Sequence, residues 1–94
     1  MAVVAASRWV LHLPGCHSLK MKRSVVRSLR DRLRTRYHVS VAETDLQDRW
    51  QMAELSAAVV ATDRGRAEKL LTQLDRFVRS DPRAEVVETE TAYF

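Results

Sequence analysis

Residues 2–13 (AVVAASRWVLHL) open with an apolar run, after which Ser7, Trp9, Leu11 and Leu13 take turns with Arg8, Val10 and His12. A repeat of two, rich in β-branched and aromatic residues, predicts a strand. Pro14-Gly15 ends it, and Ser18 stands where an N-cap hydroxyl accepts from a free amide of a first helical turn. From Leu19 to Tyr37 the repeat becomes helical, with Leu19, Val25, Val26, Leu29, Leu33 and Tyr37 in one arc. Residues 38–44 (HVSVAET) predict a short strand with Val39 and Val41 on one side, followed by a polar connection over 45–49. Residues 50–62 predict a longer strand whose Ala53, Leu55, Ala57 and Val59 face the core.

Asp63 is a second N-cap, and Ala67, Leu70, Leu71, Leu74, Phe77 and Val78 form the apolar stripe of a second helix. Asp81-Pro82 stops it. Residues 84–94 predict a last strand in which Val87, Thr89, Thr91 and Tyr93 alternate with Glu88 and Glu90. The order is βαββαβ, in a single domain spanning 1–94. Two amphipathic helices need their stripes covered, and a sheet with both helices on one face covers them. Right-handed crossovers then favour an α+β, ferredoxin-like fold, a four-stranded antiparallel sheet in the order 4-1-3-2. The other sheet face stays open, with Arg8, Val10, His12, Met52, Glu54 and Ser56 as its expected mixed occupants.

Charge changes this picture more than composition does. Residues 1–38 hold nine Lys and Arg against Asp31 alone, while residues 39–94 hold seven against eleven acids. On the first helix Lys20, Arg23, Arg27, Arg30 and Arg34 recur at spacings of 3, 4, 3 and 4, away from the apolar arc. A merely solvated helix usually mixes Glu with Lys at i,i+4, and this one does not. Such a ridge is either plain solvated surface or a track for a phosphate backbone, and RNA is the expected partner. The turn into the helix adds a candidate anion site, made of Cys16, His17, Ser18, Lys20, Lys22 and Arg23. No Walker loop accompanies it.

Other chemistry is thinner. Cys16 beside His17, with Asp45 or Asp48 at the same sheet end, raises a thiol enzyme; a small buried cysteine and a surface histidine is the better reading. The spacing of His12, Cys16 and His17 matches no common zinc framework, so no metal and no cofactor is expected. The third strand lacks the aromatics with which RNA-recognition sheets stack bases, and Trp9 shares the parity of core positions. One cysteine cannot form an internal disulfide, residues 1–10 lack a signal-peptide pattern, and no apolar run nears the ~20 residues of a membrane span. A cytoplasmic protein is expected, with no membrane partner.

LPGCHSLKMKRSVV (13–26), YHVSVAETDLQDRWQMA (37–53) and ATDRG (61–65) resemble the YlxP-like family of small bacterial proteins, a domain of unknown function. His17, Ser18, Leu19, Lys20, Lys22, Arg23, Ser24 and Val25 match its motif, with Met21 at the variable position. Thr89 and Thr91 stand where the family pattern favours larger apolar residues. The resemblance implies a ferredoxin-like fold in the bacterial cytoplasm. Family members are often encoded beside translation and ribosome-maturation factors, which implies RNA or ribosome association; no catalytic residues carry over. Two function classes therefore stand beside the enzyme: a phosphate-backbone binder, and a homo-oligomeric interaction module using the open sheet face or an edge strand.

Overall fold

The computed structural model describes residues 1–94, the whole chain. Its elements are β1 (Val3–His12), α1 (Leu19–Tyr37), β2 (Ser40–Asp45), β3 (Met52–Ala61), α2 (Arg64–Arg79) and β4 (Glu85–Tyr93). The sheet runs β2-β3-β1-β4 with every neighbour antiparallel, the order expected from the pattern, read from the opposite edge. Both helices pack on one face.

The helix ends follow from the caps. Ser18 is extended, and its Oγ accepts from the Met21 amide at 3.1 Å. Asp63 does the same for the Arg66 amide at 2.8 Å. His38 was expected to start β2 but closes α1 instead. It turns left-handed at φ 55 and donates its amide to the Arg34 carbonyl at 2.9 Å, so the strand begins two residues later.

The core lies between the sheet and the helices. Trp9, Leu11 and Leu13, the expected set from β3, and Leu29, Leu33, Leu74 and Val78 from the helices are all buried. Trp9 also donates its indole N–H to Asp75 at 3.0 Å, which satisfies the one polar atom that burial would strand. Burying a side chain of this kind contributes roughly 1.5–3 kcal/mol, so this cluster is the main stabilising term.

Two positions depart from the expected pattern. In β4, Val10 faces Glu88 while Leu11 faces Val86, so Val87 is an extra residue in the ladder. The bulge reverses the parity: Val86 turns toward the core side, and Val87 is left 55% exposed. In α1, Lys22 is buried in line with Val26, Leu29 and Leu33.

The open sheet face is organised by charge. Arg8 reaches Glu54 and Glu88 at 2.9 Å each and Glu90 at 3.2 Å. Those hydrogen bonds, Glu88 first, raise the affinity of the guanidinium for its proton above its already high ordinary value. His12 meets Glu85 at 3.0 Å nearby, and Thr44 donates to Glu54 at 2.8 Å. Glutamates outnumber bases on this face, and the uncompensated bases lie elsewhere.

Candidate anion-binding face

The five bases of the α1 ridge do not act alike. Lys20, Arg23 and Arg27 are exposed and form no ion pair. Together with Ser24, Ser28 and Asp31 they line a depression of about 560 Å³ on the outer side of the helix. Arg30 turns to Asp31 at 3.4 Å. Arg34 donates to the Val41 carbonyl of β2 at 2.7 Å and keeps a long 4.0 Å contact with Asp31. The outcome follows from position. Arg30 and Arg34 take up the one acid of the helix and the edge of β2, while the first two turns, which hold Lys20 and Arg23, offer no carboxylate.

The candidate anion site at the turn comes apart in the same way. Lys22 is only 1% exposed, and its ammonium donates inward to the Leu46 and Gln47 carbonyls and pairs with Glu43. Cys16 is 3% exposed, and its carbonyl accepts from Gln51 at 3.2 Å. Neither side chain can meet an arriving anion, so both leave the expected set. Ser18 spends its oxygen on the cap. His17, Lys20 and Arg23 remain at the surface. No hydrogen bond joins Cys16, His17 and Asp45; the Asp45 carboxylate accepts from the Leu46 amide at 2.8 Å. No three His, Cys, Asp or Glu side chains converge as metal ligands would.

A second group of bases was not singled out from sequence. Arg32 sits 5.0 Å above the Phe77 ring, and Arg36 lies 5.8 Å from Phe77 and 5.6 Å from Tyr37. The two rings meet edge to face at 5.8 Å. Arg76 of α2 borders the same place, in a depression of about 410 Å³ with Gln73 and Ser80. Attraction to a ring face orients a guanidinium without neutralising it, so these arginines keep their full charge outward. The i,i+4 spacing of Arg32 and Arg36 was visible in the sequence; their meeting with Arg76 depends on how the helices dock. Beside them Arg83 grips Asp81 at 2.7 Å and reaches the Ser28 hydroxyl at 3.1 Å. The Arg83 hydrogen bond holds the buried Asp81 carboxyl below the usual carboxylate range.

The fold and this face define a small ferredoxin-like α+β domain with a basic helix layer and an acidic open sheet. The chain belongs to the family described as "Protein of unknown function (DUF503)", whose model matches residues 4–91. It is 35% identical over 77 residues to "Uncharacterized protein YlxP" of Bacillus subtilis (strain 168), across 82% of this chain and 84% of the relative. Among solved structures it is similar to the de novo designed protein Foldit4, with a TM-score of 0.58 at 15% identity over 100% of this chain and 97% of that one. It is also similar to the SecDF periplasmic domain P4, with a TM-score of 0.48 at 16% identity over 98% and 88%. The designed protein supports the fold alone. No helix is long and apolar enough to cross a membrane.

Proposed function

We propose that this chain is a small cytoplasmic factor that associates with RNA or the ribosome by gripping phosphate backbone along α1. The observation that carries the reading is the side-by-side exposure of Lys20, Arg23 and Arg27, none of them in an ion pair, in a depression whose one acid, Asp31, is engaged by Arg30. Three like charges on adjacent turns repel one another, and a polyanion relieves that repulsion while releasing its own condensed counterions. Ser24 and Ser28 supply hydroxyl donors in the same depression. Arg32, Arg36 and Arg76 extend the positive surface toward the far end of the helix layer. The acidic open sheet face turns a polyanion away, so the two faces together orient the complex.

Backbone contacts of this kind position a protein without reading sequence, so the expected ligand is structured RNA with little sequence preference. Fluorescence anisotropy with a labelled RNA hairpin tests the reading. Binding that weakens as salt rises supports it; no binding at low salt contradicts it.

A further inference from the structure

The two edges of the sheet are treated differently. The β2 edge is short, and α1 closes it: Arg34 donates to the Val41 carbonyl, and Lys22 to the Leu46 carbonyl just beyond the strand. The β4 edge has nine residues, and none of them is buried. Helix α2 packs over β1 and β3 and scarcely touches β4. Between them runs a groove of about 420 Å³, bordered by Thr72, Asp75 and Arg79 of α2 and by Thr89, Thr91 and Tyr93 of β4. Sterically, the edge is clear.

The ladder shows which backbone groups that edge presents. Val4 and Phe94 exchange both hydrogen bonds, at 3.4 and 2.7 Å. In an antiparallel pair, bonded and non-bonded positions alternate. Through the paired register, Glu90 and Ala92 therefore bond to β1, while the amides and carbonyls of Thr89, Thr91 and Tyr93 point outward. A long edge in this state is a template for another strand.

We propose that β4 is the surface through which two copies of this chain pair, antiparallel, about a twofold axis at Thr91. Charge restricts the register in which a second copy can pair. Glu88 and Glu90 would repel a second copy, but Arg8 holds both. An axis at Glu90 sets that residue against itself, and an axis at Thr89 sets Glu88 against Glu90. An axis at Thr91 instead places Glu90 opposite Ala92 and Glu88 opposite Phe94, which is 79% exposed in the single chain. It pairs Thr89 with Tyr93 in each direction and Thr91 with itself, so about six backbone hydrogen bonds form across the join. This interface uses neither Lys20, Arg23 nor Arg27, and it stands independently of RNA binding.

The register is tested by crosslinking in a Cys16→Ser background. Opposed residues in a bonded pair have Cα atoms about 5.5 Å apart, within disulfide reach. Under mild oxidation Thr91→Cys should give a covalent dimer. Thr89→Cys should not, because its two copies lie about 14 Å apart along the strands. In parallel, sedimentation equilibrium over a concentration series should show the unmodified chain dimerising. Thr91→Pro removes an outward amide that β1 does not use, so it should leave a folded monomer. A chain that stays monomeric throughout the series overturns the proposal, as does equal crosslinking at both positions or a folded Thr91→Pro dimer.

Discussion

The Lys22 ammonium lies 3.1 Å from Glu43 Oε2, with the lysine almost wholly enclosed and the carboxylate about one-fifth exposed. This contact ties α1 to β2, and the same ammonium holds the Leu46 and Gln47 carbonyls at the start of the β2–β3 turn. Leu46 there adopts φ 65, a left-handed conformation that a branched aliphatic residue takes only when its surroundings hold it. The Glu43 oxygen has no hydrogen bond and relies on the lysine charge alone.

Lys22→Ala should therefore be costly. Removing one partner of a buried ion pair leaves the other uncompensated, at about 3–5 kcal/mol. Replacing both, as Lys22→Met with Glu43→Leu, should recover much of that loss because no charge is left buried. Urea unfolding of the parent and the two variants checks this. A single variant within 1 kcal/mol of the parent, roughly the worth of a surface pair, would show that the contact is ornamental.

Asp81 and Arg83 set a pH dependence. The aspartate is buried, and Arg83 holds its carboxyl below the ordinary value of 3.8. A carboxyl depressed in the folded state stabilises it above the unfolded value, and the contribution fades as pH falls through the folded value. Asp81→Asn should lower stability by roughly 1.5–3 kcal/mol at neutral pH, through loss of charge-assisted hydrogen bonds. The gap between variant and parent should close below pH 3.8. A gap that persists unchanged in acid contradicts the assignment.

Arg8 is the hub of the open face. Arg8→Met leaves Glu54, Glu88 and Glu90 facing one another without a cation. The variant should melt earlier than the parent in low salt and regain part of the difference in high salt, since mobile ions screen exposed like charges. Equal salt dependence in the two proteins would mean that the cluster does not matter.

Much of the fold could be read from periodicity and caps. Ser18 and Asp63 start helices, the alternation in β3 names its four core residues, and the strand order follows from covering two apolar stripes. What could not be read were features decided between elements. The bulge at Val87 arises where β4 meets β1, and an isolated strand pattern carries no trace of the extra residue. By its charge Lys22 reads as a surface residue, although its spacing from Val26, Leu29 and Leu33 is that of the apolar stripe. Its interior partners come from a turn more than twenty residues away. The ridge was visible as spacing, but its division into free and engaged bases depends on where Asp31 and the β2 edge come to lie.

On the proposed function, Lys20, Arg23 and Arg27 contact phosphate. The most direct measurement is the slope of log K against log salt for an RNA hairpin, in the parent and in Arg23→Gln with Arg27→Gln. Glutamine keeps helix propensity nearly unchanged, so circular dichroism should report an intact fold. Each phosphate contact contributes about 0.7–0.9 to the slope, so losing two should make it shallower by about 1.4–1.8. Arg64→Gln with Lys69→Gln removes the same charge from α2 and should leave the slope at the parent value. A folded Arg23/Arg27 variant that binds with the parent's slope, or a control that falls equally, would contradict phosphate binding along α1.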